Sequence, residues 1–355
     1  MPFQFYSLTV DSIEQITNAC VAVSFNIPKE LKDIFSYTQG QYITIKKTIN
    51  NQEIRRSYSL CSSPLESNFT IAIKRVSGGI FSTYANKDLK VGDSLEVMPP
   101  KGKFFTPIHA AQQKKYVAFA AGSGITPIIS IIKTTLLTEP YSQFILVYGN
   151  SNRNTIIFRE ALENLKNKFT KRLSIIHVLS KENTDSLIHF GRINQEKCSQ
   201  LFDKLVPLNA DEYFICGPME MTFSVKQFLE EKAVATNKIH YELFTGAKQK
   251  LATKVASSET IETISHVEIV IDGRTTKFSI PYNNNILDAA LQHGADLPFA
   301  CKGGVCCTCK AKLISGNVTM ENNYALEAEE VDNGFILTCQ AKPTTENVVI
   351  SFDEK

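Results

Sequence analysis

Short runs in which apolar and polar residues alternate fill the first third of the chain: "SLTVDSI", "ACVAVSFNI", "QYITIKKTI", "RRSYSLCSS" and "FTIAIKRV", separated by Gly, Pro and Asn. A period of two, broken by turn residues, predicts an antiparallel β-barrel over residues 1–107. From about residue 108 the pattern changes. Apolar runs ("KKYVAFAA", "QFILVYG", "LSIIHVLS", "EYFICG") now alternate with stretches of helical period ("ITPIISIIKTTL", "FREALENLKNKF", "MEMTFSVKQFLEEK"). Such alternation predicts a doubly wound parallel α/β sheet over 108–244. Residues 245–264, "TGAKQKLATKVASSETIETI", are polar and aperiodic and read as a linker. Over 265–355 a hairpin turning at Asp272-Gly273, a short helix in "NILDAALQHG" and a last strand in "NVVISFDEK" predict a small α+β module.

Composition agrees with several domains. A chain of 355 residues exceeds one ordinary core, and 43% hydrophobic with 21% charged residues excludes a disordered chain. The start, "MPFQFYSLTVDS", lacks a basic segment followed by an apolar run, and the most apolar stretch, "YVAFAAGSGITPIISIIK", is interrupted before spanning length. No membrane span and a cytoplasmic location are expected. The net charge of +2 conceals an asymmetry: residues 265–355 carry seven basic against twelve acidic side chains, leaving the remainder at +7. The split suits an acidic module docking on a basic one, and equally two solvated surfaces. No basic run with interleaved aromatics occurs, so nucleic acid is not an expected partner.

Four of the nine cysteines fall within "CKGGVCCTC". In a reducing compartment so dense a cluster points to metal binding or redox chemistry rather than to disulfides. Cys301, Cys306 and Cys309 have the spacing C-x4-C-x2-C, and Cys339 follows alone in "FILTCQA". That is the plant-type pattern for four thiolates around a [2Fe–2S] cluster. Gly303 and Gly304 allow backbone amides to approach the sulfurs. A zinc site would show two paired C-x2-C knuckles, and one pair is present; a redox dithiol is the other alternative. The spacing leaves Cys307 outside the ligand set, and Cys20, Cys61 and Cys198 read as ordinary half-buried thiols.

The run "CKGGVCCTCKAKL…LTCQA" resembles the C-terminal ferredoxin domain of oxygenase reductases, nearest to the reductases that serve phenylacetyl-CoA oxygenases. With the two upstream domains, the likeness to the ferredoxin–NADP reductase superfamily covers nearly the whole chain. It implies an FAD-binding barrel, an NAD(P)-binding α/β domain and a β-grasp-like ferredoxin domain.

"RRSYSL" places Arg56 and Tyr58 on one face of a strand, a cation and an aromatic plane for a single ligand, followed by the hydroxyl of Ser59. Alone, an Arg-Tyr pair is ordinary barrel surface; the resemblance makes R-x-Y-S the FAD motif, with Tyr58 and Ser59 at the reacting ring. "SGGIFSTY" is either a plain glycine turn or a loop whose N–H groups face a pyrophosphate. The resemblance gives Gly79, Ile80, Phe81 and Ser82 the second role.

In "AAGSGITPI", Gly122, Ser123 and Gly124 lie between a strand and a helix that begins near Thr126, where free amides and the helix dipole favour phosphate. A tight βα turn is the alternative, since the strict dinucleotide fingerprint is absent. "FICGPMEM" brings Cys216, Gly217, Pro218 and Met219 to the end of a later strand, hence to the same crevice. The resemblance implies that Cys216 sits near the transferred hydride; a nucleophilic cysteine would need a His partner the neighbourhood lacks. After "FILVYG", Ser151 and Arg153 favour the 2′-phosphate of NADPH over NADH, although an exposed Arg is also ordinary surface. Phe244, in "HYELFTG", resembles the aromatic that covers the flavin, or is a phenylalanine at the core edge.

A nicotinamide gives two electrons together, a [2Fe–2S] cluster takes them singly, and a flavin does both. The expectation is therefore an NAD(P)H-dependent oxidoreductase passing electrons through FAD and the cluster to an oxygenase. A hydroxylase, a fatty-acyl desaturase or another electron-accepting protein stands as an alternative partner. A non-enzymatic redox sensor and a zinc-stabilised binding protein stand as alternative functions.

Overall fold

The computed structural model describes residues 4–184, 186–244 and 263–354. The linker read over 245–264 lies outside the described residues except for its last two, and Ile264 already belongs to a strand. The chain divides into two compact units, Phe5–Phe244 and a second made of Met1–Gln4 with Thr245–Lys355.

The first unit opens with six strands: β1 (Tyr6–Thr17), β2 (Cys20–Asn26), β3 (Tyr42–Ile49), β4 (Gln52–Ser59), β5 (Phe69–Lys74) and β6 (Ser94–Val97). They pair antiparallel in the order β4-β3-β6-β1-β2-β5. An isolated bridge from Leu60 to Ile71 and the bond from Cys61 N to Thr70 O (2.9 Å) bring the end of β4 onto β5. The alternation seen in the sequence is the inside–outside alternation of these strands, with Leu8, Ile43, Ile45 and Ile71 fully buried. Asn50 and Asn51 both take positive φ (51° and 60°), the turn that matches strand twist in a two-residue hairpin. Helix α1 (Ile80–Lys87) lies between β5 and β6.

The same unit continues with β7 (Lys115–Ala121), α2 (Ile125–Thr138), β8 (Gln143–Asn150), α3 (Arg159–Lys168), β9 (Leu173–Leu179), α4 (Gln195–Lys204), β10 (Glu212–Gly217), α5 (Met219–Glu231) and β11 (Ile239–Leu243). All pairs are parallel, in the order β11-β10-β7-β8-β9. The chain leaves β7 toward β8 and later returns to β10 on its other side, so a crevice opens at the carboxyl ends of β7 and β10. Helix α4 escapes the periodicity reading because charged residues interrupt its short buried face of Cys198, Leu201 and Phe202; Asn194 caps it, its Oδ1 accepting from Lys197 N (2.9 Å).

Barrel and sheet are joined by polar contacts and shared apolar packing. Ser130 Oγ donates to Ser62 O (2.6 Å), Ser63 and Thr134 hydroxyls meet at 2.8 Å, and Phe104 packs edge-on against Phe214 at 5.5 Å. Cys20 and Cys61 belong to the core built around α2, and Cys198 to the core on the other face of the sheet. These three thiols are fully rather than half buried, because the close packing of barrel, sheet and helices encloses them; burial pushes each up to about 12.

The second unit holds β12 (Ile264–Ile271), β13 (Arg274–Pro281), α6 (Ile286–Gln292), β14 (Lys310–Ser315), β15 (Val318–Met320), α7 (Ala328–Asp332), β16 (Phe335–Leu337), β17 (Ala341–Pro343) and β18 (Asn347–Ser351). Its main sheet runs β13-β12-β18-β14-β16, with β12 and β18 parallel and the other neighbours antiparallel. This mixed sheet, with Ile286, Leu287 and Ala290 of α6 in its core, is the expected α+β module. The hairpin turns where the sequence placed it, with Asp272 at φ 50° and Gly273 at φ 69°.

Candidate cofactor sites

Strand β4 pairs with β3 so that Tyr58 lies opposite Ile43 and Arg56 opposite Ile45. Tyr58 rests against Phe81 (5.7 Å between centroids, 37°), and Arg56 is half-buried, its Nη1 donating to Arg55 O (2.7 Å). Burial raises the Tyr58 phenol, which stays protonated. At the N-cap of α1 only glycine fits: a Cβ on Gly79 would stand 2.4 Å from Ser82 Oγ and 2.6 Å from Val76 Cγ2. Ser82 turns back on this loop, accepting from Val76 N (3.3 Å) and donating to Gly79 O (3.4 Å). A cleft of about 580 Å³ opens between the start of α1 and the β3–β4 turn; Gly79 and Ile80 line it with Asn50, Tyr84 and Asp88, while Phe81 is buried beneath Tyr58. Free amides at a helix start beside an open cleft suit a phosphate; neither Arg56 nor Tyr58 lines that cleft.

The larger crevice, about 800 Å³, lies at the carboxyl ends of β7 and β10, lined by Gly122, Ser123 and Gly124 from one turn and Gly217 and Pro218 from the other. The two turns touch through backbone: a Cβ on Gly124 would fall 2.0 Å from Cys216 O. Thr126 is buried in the first turn of α2, where its hydroxyl donates to Ser123 O (3.0 Å) and holds the loop rather than facing the crevice. From α5 it is Met221 that lines the space, not Met219. Lys74, at the end of barrel strand β5, enters the crevice with Nζ 3.3 Å from where a Cβ on Gly122 would be. A cation and a set of free amides thus meet at one anion site, and sequence reading missed the cation.

At the far side of the crevice Ser151 lines the space as expected, and Arg153 does not. Glu182 occupies Arg153 twice, through Nε–Oε1 (3.0 Å) and by accepting from its backbone N (2.8 Å). The arginine that lines the crevice is Arg192, loosely paired with Glu220 at 3.5 Å where both side chains are more than four-fifths exposed. Phe244 stands at the edge of the same space, 37% exposed.

Behind the crevice lies a buried polar pair. Cys216 of β10 registers with Glu242 of β11, and the buried Ser59 of the barrel lies close enough to pull on the Glu242 carboxyl. Glu242 is half-buried as a whole, but its Oε2 is enclosed and has no hydrogen-bond partner. Burial pushes this carboxyl up to about 8 against the pull of Ser59, so it holds a proton near neutral pH. Burial first, and the Glu242 charge second, push the Cys216 thiol far up, which removes it as a nucleophile. An enclosed, proton-bearing carboxyl beside the buried Ser59 makes this a dry, polar floor to the crevice.

In the second unit the four proposed ligands converge. Cys301 and Cys306 Sγ lie 3.2 Å apart, Thr338, next to Cys339, donates to Cys309 O through N (3.2 Å) and Oγ1 (3.1 Å), and Gly303 N donates to Cys301 Sγ (3.3 Å). Hydrogen bonds from Cys306 and Cys339 hold the Cys301 thiol well below its ordinary value despite burial. Cys307 turns away, donating to Ala325 O (3.2 Å). Among the described residues no three His, Cys, Asp or Glu side chains are arranged for a single ion. Two pairs of thiols with amides aimed at sulfur fit a two-iron cluster instead.

Comparison with known proteins agrees with this order of domains. Residues 7–106 match an oxidoreductase FAD-binding domain, 119–227 an oxidoreductase NAD-binding domain and 269–344 a 2Fe-2S iron-sulfur cluster binding domain. The chain is 42% identical over 355 residues to a subunit of 1,2-phenylacetyl-CoA epoxidase from Escherichia coli K12, covering 99% of this chain and 98% of that one. It is 33% identical to the ferredoxin reductase component of 3-ketosteroid-9-alpha-monooxygenase from Rhodococcus rhodochrous, over 97% and 96% of the two chains. The solved structure of phthalate dioxygenase reductase superposes with a TM-score of 0.62 at 24% identity, covering 98% of each chain, and supports the fold.

Proposed function

We propose, for a chain that belongs to the ferredoxin reductase-type family of FAD-, NAD- and [2Fe–2S]-binding oxygenase reductases, that it draws electrons from NADPH and delivers them singly to an oxygenase, with phenylacetyl-CoA epoxidase as the leading partner. When bound, a reduced nicotinamide supplies a hydride, a flavin accepts the pair and releases it singly, and the cluster carries one electron. The observation that carries the reading is Lys74, at the end of barrel strand β5, whose Nζ stands 3.3 Å from the Cβ position of Gly122 and lines the nucleotide crevice.

The chain's own residues divide the work. Lys74 and the amides of Gly122, Ser123 and Gly124 hold the pyrophosphate, and the Gly217-Pro218 turn and Phe244 bound the space for the nicotinamide. Arg192 and Ser151 take the ribose end; the weak Arg192–Glu220 pair leaves a guanidinium to exchange onto a 2′-phosphate, which supports NADPH. Glu242 keeps a proton near the ring edge with Ser59 beside it, and Cys216 fills the floor as a neutral thiol. Arg56, Tyr58 and the start of α1 hold the FAD. Cys301, Cys306, Cys309 and Cys339 hold the irons. A cytoplasmic site, where thiols stay reduced and the nicotinamide donor is made, belongs to the same reading.

Relatives named for ketosteroid and glycine betaine mono-oxygenases favour another hydroxylase as a second choice of partner. The test is NADPH-dependent turnover of phenylacetyl-CoA by a purified epoxidase supplied with this chain. Turnover that is lost on Cys339→Ser supports the proposal, and equal turnover with the variant contradicts it.

A further inference from the structure

Cys339 is the ligand that arrives from a distance, thirty residues beyond Cys309. The next residue, Gln340, is 6% exposed, and both ends of its carboxamide are engaged. Nε2 donates to Lys302 O (3.1 Å) and Cys339 O (2.9 Å) and lies 3.7 Å from Cys339 Sγ. Oε1 accepts from Asn322 Nδ2 (3.1 Å). Three acceptors around one end and a donor at the other fix which end is nitrogen. Asn322 in turn lies against the cluster loop: its carbonyl oxygen stands 2.6 Å from where a Cβ on Gly304 would be, and Tyr324 N donates to Gly304 O (2.9 Å). Gln340 therefore spans the loop of the first three cysteines, the turn between β16 and β17 that bears the fourth, and the 321–325 segment.

We propose that Gln340 is a positioning residue that fixes Cys339 against the cluster loop and raises the reduction potential of the cluster; this rests on the iron–sulfur reading above. A carboxamide held at both ends keeps one rotamer, so the N–H that meets Cys339 O stays beside the sulfur and is shared with it at 3.7 Å. Reduction adds negative charge to the cluster, and a donor at a ligand sulfur stabilises the reduced state more than the oxidised one. Without Gln340, the carbonyls of Lys302 and Cys339 and the Asn322 amide lose this partner in a buried site, which loosens the loop that the distal ligand must meet.

The experiment is a potentiometric titration of the full chain, followed by the electron paramagnetic resonance signal of the reduced cluster, with iron counted per chain. Gln340→Met keeps length and removes the donor. Asn322→Ala leaves Gln340 in place but releases its far end. The expected result is a lower midpoint potential in Gln340→Met at unchanged iron content, and a smaller shift of the same sign in Asn322→Ala. Where Gln340→Met fails to retain iron, Asn322→Ala decides: a lowered potential supports the proposal and a wild-type value overturns it. Wild-type potentials in both variants overturn it outright. A wild-type chain without iron would instead refute the reading on which the proposal stands.

Discussion

Cys216, at the end of strand β10, stands in register with Glu242 of the edge strand β11. The pair sets a buried proton two residues before Phe244 of the nucleotide crevice.

That proton has a measurable signature in stability. The Glu242 carboxyl has an ordinary value of 4.5 and a folded value of about 8, so between those limits the native chain binds more protons than the unfolded one. Stability linked to this group is present at low pH and is lost as pH rises through that window. Thermal unfolding of the holoprotein and of Glu242→Gln from pH 5 to 9 should show the variant gaining on the wild type up to about pH 8, then levelling. A constant difference across the range would remove the buried proton from the account.

Ser59→Ala should act on rate rather than on binding. Losing a contact to a neutral carboxyl costs about 0.5–1.5 kcal/mol, which is roughly two- to tenfold in the rate of flavin reduction where the contact matters in the transition state. Stopped-flow reduction by NADPH is expected to slow within that range with the nucleotide Kd little changed. A weaker Kd at an unchanged rate would mean that Ser59 only shapes the pocket.

Coenzyme choice separates the two arginines. Arg192→Ala should raise KM for NADPH by about tenfold, the loss of one charge-assisted contact, and leave NADH nearly untouched. Arg153→Ala should change the ratio of the two coenzymes much less, because Glu182 already occupies its guanidinium. Steady-state kinetics with both coenzymes decide this, and the reverse order would restore Arg153 to the ribose-phosphate role.

What was legible in the sequence was local. The cysteine spacing, the Asp272-Gly273 hairpin and the change of period near residue 108 each depend on neighbours within one element, and the strands and most helices followed from them. What was missed depends on distant segments meeting. Lys74 is an unremarkable strand lysine until β5 delivers it to Gly122, and Glu242 is one letter in "HYELFTG" until β11 pairs with β10. A rule was available for Glu242, since it sits at the carboxyl end of a strand beside the crevice, yet the aromatic character of Phe244 stands out in that run and the acid does not. Arg153 shows the converse: its loop was placed correctly, but its ion pair with Glu182 crosses from β8 to the segment after β9, a contact that periodicity does not encode.

The central claim, that one chain converts a two-electron donor into single electrons, is tested most directly by anaerobic titration of the purified protein with NADPH, with flavin and cluster absorbance followed together. A flavin storing two electrons and a cluster storing one should both bleach, with an end point of about 1.5 equivalents of NADPH per chain and a reduced-cluster paramagnetic signal at the end. An end point near one equivalent, with the flavin bleached and the cluster still oxidised, would contradict it.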